Sequence, residues 1–286
     1  MEFHDRKFVS FAAIVILIAA TAAAGQRVAT ISPEKADLTE KLAAKIESAL
    51  EARFRVLDRS MAESAFRSAE IPEPFNMNSE EGVRLGSVIG CDVFVVIRAA
   101  VQRRESLDRP AYFEAYAVSY VIDARSGEMI AWDLMNREAP VGDQAATRLL
   151  SDAAEMAAAI SSAIEQRSTR ISQMPQGVLE SVPEPGSRRA AGLTTPIPYK
   201  RIKPEYTSTA YLYGIKGTVD IEVQIDADGS VAGTRILRWV GFGLERSVED
   251  AVRSMNWRPA MRNGKPLPMR ILLRYNFTKI EKDEAP

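Results

Sequence analysis

The spacing of hydrophobic positions changes several times along this chain, and the changes mark its elements. Phe8 to Gln26 carries no charge, and its centre, Phe11 to Ile18, is wholly apolar. Arg6 and Lys7 precede this run and Ala22-Ala23-Ala24-Gly25 follows it, which is the layout of a signal peptide. The run also reaches the lower end of the lengths that span a bilayer, about 17–25 residues. Residues 1–25 are therefore read as a signal peptide or a membrane anchor. Under both readings the remainder is exported, and a periplasmic protein results, released by cleavage or held at the inner membrane.

Beyond it, periods of two and of about four alternate. Arg27–Ile31 predicts a strand. Leu38, Leu42, Ile46 and Leu50 form one apolar helical stripe, and Asp37-Leu38-Thr39-Glu40 has the form of a capping box at its start. Phe54–Leu57 predicts a strand, Ser60–Ser68 a helix, and Ser79 the cap of another helix. In that helix Gly82, Gly86 and Gly90 fall four apart. They suit close backbone packing and do not follow the G-x-G-x-x-G order of a phosphate loop. Val93–Ile97 is a continuous apolar run that suits a central strand. Strands at Tyr112–Asp123 and Glu128–Met135 follow, joined by the Ala124–Gly127 turn, and then an Ala-rich helix from Gln144 to Gln166. Residues 26–170 thus read as a mixed α/β domain.

From 171 to 198 the periodicity stops. Pro175, Pro183, Pro185, Pro196 and Pro198, with Gly177, Gly186 and Gly192, predict a linker. Regular alternation returns at Gly217–Ile225. Asp226-Ala227-Asp228-Gly229 predicts a turn and Val231–Val240 a returning strand. Gly241-Phe242-Gly243 breaks that strand, a helix spans Leu244 to Met255, Asn263-Gly264 turns the chain, and Met269–Phe277 forms the last strand. Residues 199–286 therefore read as a small β-β-α-β domain. The fold class is α+β, with an N-terminal mixed α/β domain, a Pro/Gly-rich linker and this C-terminal domain.

Composition narrows the chemistry. The 286 residues include 37 basic and 38 acidic side chains, a balance that argues against nucleic acid. Residues 1–195 hold 22 basic and 27 acidic side chains, and residues 196–286 hold 15 and 11, so the last third is mildly basic. His4 is the single histidine and Cys91 the single cysteine. Ser-His-Asp, Cys-His and His-based metal sites are therefore unavailable, and Cys91 reads as a small buried hydrophobe. Asp226-x-Asp228-Gly229 hints at a calcium loop, but Leu237 stands where an EF-hand needs Glu, and a hairpin turn fits better. No enzyme, cofactor or metal is expected.

The C-terminal motifs run in a recognisable order. They begin at Pro204-Glu205-Tyr206, pass Ala210, and continue through Gly214-Ile215-Lys216-Gly217-Thr218-Val219. Gly229, Val231, Gly241, Leu244 and Ala251-Val252 follow. Trp257-Arg258-Pro259-Ala260, Asn263-Gly264-Lys265-Pro266 and Arg274-Tyr275-Asn276-Phe277 complete the series. In this order they resemble the C-terminal domain of TonB proteins, with Gly217, Gly229, Gly241, Trp257, Pro259 and Gly264 as its structural motif. Thr207 departs from the proline that many members carry after the tyrosine. The resemblance implies an energy transducer that binds TonB-dependent outer-membrane receptors by strand addition and supports nutrient transport. Its expected binding edge is the last strand, Arg270, Ile271, Leu272, Leu273, Arg274, Tyr275, Asn276 and Phe277. The plainer alternative is that this strand is the third strand of a closed sheet.

The segments Arg55-Val56-Leu57-Asp58-Arg59, Leu85-Gly86…Gly90-Cys91-Asp92-Val93 and Ile122-Asp123…Ser126-Gly127-Glu128 are similar to the N-terminal domain of TolB and to CsgG-like envelope domains. That likeness implies contacts with other envelope proteins. A TonB-type transducer also implies an ExbB/ExbD-type inner-membrane motor. However, the apolar run lacks the histidine such anchors carry, and the Pro/Gly stretch is short. The alternative is a soluble periplasmic adaptor that uses the TonB-like domain only for protein binding.

Overall fold

The computed structural model describes residues 25–105, 110–167, 179–184 and 186–278, and the export segment lies outside them. Among the described residues no helix is long and apolar enough to cross a membrane. The architecture is α+β. It divides into two units. Among the described residues, the first takes those up to Glu70, Val83–Arg125 and Ile130–Arg167, and the second takes Ile71–Gly82, Ser126–Met129 and those from 179 onward.

The first stretch of chain forms β1 (Arg27–Ile31), α1 (Asp37–Leu50), β2 (Arg55–Val56), α2 (Arg59–Ser68), α3 (Ser79–Ile89), β3 (Val93–Arg104), β4 (Tyr112–Asp123), β5 (Met129–Ala139), α4 (Gly142–Ser151) and α5 (Ala153–Glu165). The sheet order is β2-β1-β3-β4-β5. β1 runs parallel to β2 and β3, and β3 is antiparallel to β4. Leu42, Ile46 and Leu50 of α1 join Leu149 of α4 and Met156, Ile160 and Ile164 of α5 in one buried cluster with Val93, Val95 and Ile97 of β3. The apolar stripe of α1 thus lies where a period near four places it.

Several local expectations are corrected. Helix α1 starts after Ala36 with no side-chain cap. Asp37, expected as the cap, is the first helical residue and pairs with Lys41 at 2.7 Å, while the hydroxyl of Thr39 bonds the backbone of Ala99 in both directions, at 3.0 Å each. The cap of α3 is Asn78 rather than Ser79. Its Oδ1 accepts from Glu81 N–H, and the Glu81 carboxylate accepts from Asn78 N–H, both at 2.8 Å. This reciprocal pair is a capping box. The Ala-rich helix is interrupted at Asp152, whose carboxylate is held by Arg137 at 2.5 Å. Gly86 meets Ala124 closely, where a Cβ would come within 2.5 Å of Ala124 Cβ. Gly90 instead ends its helix at φ +74° with open space around it, so it belongs to a turn and not to a packing stripe. Burial raises the Cys91 thiol to about 12, so the sulfur is a packing group.

The second unit contains β6 (Leu193–Thr194), β7 (Ile197–Pro198), α6 (Ser208–Leu212), β8 (Gly217–Ile225), β9 (Val231–Arg238), α7 (Leu244–Arg253), β10 (Trp257–Arg258), β11 (Ala260–Arg262), β12 (Lys265–Leu267) and β13 (Met269–Phe277). Its main sheet has the order β13-β8-β9, with both pairs antiparallel. Val219, Ile221, Val223 and Ile225 of β8 are fully buried, as are Leu244, Val248 and Val252 of α7. The described part of the stretch expected as a linker contains two short paired strands. β6 joins β11 and β7 joins β10, both antiparallel. Proline does not prevent this, because these are short peripheral strands where few ladder donors are needed.

The segment before α3 belongs to this unit too. Asn76 Nδ2 donates to the carbonyls of Thr218 and Trp239 at 2.8 and 2.7 Å, and its Oδ1 accepts from Thr218 N–H at 2.9 Å. Met77 is fully buried, its carbonyl accepts from Trp239 N–H, and Asn78 bridges Arg238 antiparallel. One side of the three-stranded sheet is thereby occupied by the protein's own chain. The Asp226–Gly229 turn is closed by Gly229 N–H to Asp226 C=O at 3.0 Å, and Asp228 accepts from Ser230 N–H at 2.8 Å.

Candidate functional site

The predicted binding residues lie on one strand at the other side of that sheet. β13 pairs with β8 along its whole length, from Met269↔Ile225 to Phe277↔Gly217. It is a terminal strand of its sheet. Side chains alternate as the period of two requires. Met269, Ile271 and Phe277 are buried, Leu273 and Tyr275 half-buried, and Leu272, Arg274 and Asn276 exposed. Leu272 is 60% exposed, unusual for a leucine inside a strand.

Backbone direction alternates as well. Arg270 N–H donates to Glu180 C=O at 2.9 Å, and Arg270 C=O accepts from Val182 N–H at 3.2 Å. Both groups therefore point away from β8. In an antiparallel ladder, residues two apart share the same in-plane direction. Leu272, Arg274 and Asn276 thus present their N–H and C=O groups to the outer edge, while Ile271, Leu273 and Tyr275 direct theirs at β8. Among the described residues only the isolated parallel bridge Ser181↔Arg270 occupies this edge.

Charge fixes the strand on its polar face. Asp220 of β8 is 5% exposed and sits between Arg238 of β9 and Arg274 of β13. Arg274 donates twice, at 2.7 and 2.8 Å, and Arg238 once, at 3.3 Å. Burial pushes the Asp220 carboxyl up, but the two guanidinium groups outweigh it and hold it below the ordinary range.

At its C-terminal end β13 borders an apolar groove of about 610 Å³. Tyr206, Tyr211, Tyr275, Phe277 and Pro204 line it, with Lys203 at its margin. Tyr206 stacks on Phe277 with ring centroids 6.2 Å apart and meets Tyr211 edge-on at the same distance. Burial raises the phenols of Tyr206 and Tyr275. The role of Tyr211 in this groove was not read from the sequence. The signal present was the Tyr206-x4-Tyr211 spacing around a short helix.

The structural-motif residues hold the loops around this sheet. Gly217 opens β8, where a Cβ would lie 2.9 Å from Val240 Cγ2. Gly229 has φ +87°, and a Cβ there would meet the Trp257 carbonyl oxygen at 2.2 Å. Trp257 is 3% exposed, and Pro259 Cδ lies beside the same Gly229 position. Gly241 has φ +82°, followed by Phe242 and Gly243 at +57° and +78°. Gly264 and Asn263, at +80° and +51°, form a two-residue turn between β11 and β12.

This β-β-α-β sheet, with its glycine-pinned loops, lies within a segment that has a family counterpart. Residues 202–278 match the model of the Gram-negative bacterial TonB protein C-terminal region. Those residues are a TonB-type C-terminal domain. A search of curated proteins gave no match. Among solved structures, the C-terminal domain of TonB from Pseudomonas aeruginosa is 21% identical, covering 38% of this chain and 100% of that one, with a TM-score of 0.28. Lipoprotein GNA1162 from Neisseria meningitidis is 16% identical, covering 48% and 99%, with a TM-score of 0.32. The hypothetical protein CT253 from Chlamydia trachomatis is 14% identical, covering 50% and 97%, also at 0.32.

Proposed function

We propose that this is a periplasm-facing envelope protein whose TonB-type domain captures an extended segment of a TonB-dependent outer-membrane receptor by strand addition at β13. The observation that carries the reading is the outer edge of β13. Leu272, Arg274 and Asn276 offer backbone donors and acceptors there, and such an edge gains affinity from main-chain pairing with little demand on partner sequence. The Tyr206–Tyr211–Phe277 groove at the end of the strand offers an apolar seat for a partner side chain. In this reading the domain works by binding and not by catalysis. The transport role, an ExbB/ExbD-type motor partner, and contacts of the N-terminal α/β unit with other envelope proteins belong to the same proposal.

The test is a titration of the chain with a synthetic peptide spanning the TonB box of an outer-membrane receptor. Saturable binding that Leu272→Pro removes, while the variant stays folded, supports strand addition. Binding that survives Leu272→Pro unchanged overturns it. N-terminal sequencing and membrane fractionation of the native protein test the placement. A full-length embedded product supports a transducer, and a soluble product starting near Gly25 leaves a periplasmic adaptor.

A further inference from the structure

The edge of β13 already carries a short visitor from the same chain. Glu180 C=O and Val182 N–H bracket Arg270 in parallel orientation. Arg270 Nε also donates to Leu179 C=O at 3.1 Å. The Glu180 carboxylate meets Arg262 of β11 at 2.8 Å, and Arg262 reaches the carbonyl of Arg189 at 3.4 Å. From the ion pair with Arg262, the Glu180 carboxyl lies below its ordinary range.

We propose that Arg262 and the N-terminal end of β13 form a subsite for a carboxylate on an extended partner segment, and that Leu179–Val182 holds this subsite as a competitor in cis. The proposal rests on the strand-addition reading and specifies what the strand must carry.

Three observations argue that the stretch is displaceable. It makes a single bridge, whereas β8 pairs with β13 over nine residues. Its ion pair is about one-third exposed on both sides, at 36% and 35%, where such pairs are weak and salt-screened. Pro183 and Pro185 follow in sequence and cannot donate to a ladder, and a short 3-10 turn forms at Arg188–Ala190. The visitor thus uses one of the outward positions on the edge, Arg270. A partner without those prolines, running in the same direction, would keep the contacts at Arg262 and Arg270. It would then continue along Leu272, Arg274 and Asn276. The visitor is tethered downstream by β6 and β7, so its release need not disturb the sheet. While docked, it lowers the apparent affinity for a partner by the fraction of chains in which the edge is free.

The experiment uses the full chain and two labelled synthetic peptides. One carries the sequence of residues 177–182 continued by Thr-Val-Thr-Val. Its twin has Gln in place of the Glu. The proteins are the wild type, a Glu180→Gln/Val182→Pro variant that weakens the visitor, and that variant with Arg262→Ala added. The weakened-visitor chain is expected to bind the acidic peptide about tenfold more tightly than wild type. It should also prefer the acidic peptide over its twin, and Arg262→Ala should erase that preference. Equal affinity for wild type and the weakened-visitor chain overturns the competition. Equal affinity for the two peptides overturns the carboxylate subsite, and binding of neither peptide overturns both. The receptor-peptide titration does not depend on these substitutions, so the strand-addition reading is judged separately.

Discussion

The side-chain amide of Asn76 exchanges two hydrogen bonds with the backbone of Thr218, giving to its carbonyl at 2.8 Å and taking from its N–H at 2.9 Å. A third bond reaches the Trp239 carbonyl. A residue far upstream in sequence thus completes the backbone pairing at the start of β8. Removing it strips the buried Trp239 carbonyl of this partner, at roughly 1–3 kcal/mol, and the two part-buried Thr218 groups of theirs at less. Asn76→Ala is expected to lower the urea midpoint of the second unit without changing the slope. A fragment of residues 199–286 should melt cooperatively, but at a lower temperature than the same unit in the full chain. Identical midpoints in calorimetry would show that neither Asn76 and Met77 nor the β6 and β7 pairings, all absent from the fragment, contribute to the unit's stability.

Proline scanning along β13 should separate the two directions of its backbone. Leu272 N–H points to the outer edge, and Leu273 N–H points to β8. Leu272→Pro removes an edge donor and leaves the internal ladder intact, so it should abolish receptor-peptide capture with a stability loss near 1 kcal/mol. Leu273→Pro removes a ladder bond inside the sheet and should destabilise the domain by about 3 kcal/mol or more. Circular-dichroism melts of the two variants read the difference directly. A larger loss for Leu272→Pro than for Leu273→Pro would mean that the edge assignment is inverted.

How much of this was readable in advance depended on the range of the interaction. The period-two pattern of β8 and β13 fixed which residues face the core, because one face of that sheet is buried, and Met269, Ile271 and Phe277 lie as it requires. The helical stripe of α1 was equally legible. Pairings between distant segments were not. Nothing in the Pro/Gly run announces that Thr194 faces Met261, or that Pro198 faces Trp257. Nor does Asn76 look different from any turn asparagine until the Thr218 backbone is beside it. The cap of α1 was misplaced by one position. Asp37, expected as the capping residue, lies inside the first turn, where its carboxylate pairs with Lys41 at 2.7 Å.

Two motif glycines have different physical reasons, and substitution should expose this. Gly264 sits at φ +80° in open space, so Gly264→Ala adds only the backbone penalty, about 1–2 kcal/mol. Gly229 has φ +87° and no room, since a Cβ would fall 2.2 Å from the Trp257 carbonyl oxygen. Gly229→Ala must move the Trp257–Pro259 segment as well, and a loss on the order of 3 kcal/mol or more is expected. Equilibrium urea unfolding of the two variants checks the order. If Gly264→Ala proves the more damaging, the close approach at Gly229 is not what constrains that turn.

Glu245 should give the second unit a pH dependence of unusual sign. Its carboxylate accepts from the N–H groups of Val240 and Gly241, at 2.6 and 2.7 Å, and so braces the left-handed Gly241–Gly243 loop. Burial is the largest influence on it and raises its pKa above the ordinary 4.5, although the two backbone bonds oppose the shift. A carboxyl raised on folding contributes stability that is fully present below its unfolded pKa and lost as pH rises through the folded one. Asp220 and Asp228 are held below their ordinary values and act in the opposite direction, losing their contribution as pH falls. The Glu245 effect must therefore be read as a difference between two chains. Glu245→Gln keeps an oxygen acceptor for the loop and removes the titration. Relative to this variant, the wild type should lose stability as pH rises from about 4.5 through the folded pKa, and the difference should level off above it. A pH-independent difference between wild type and Glu245→Gln in urea titrations would mean that burial does not raise this carboxyl.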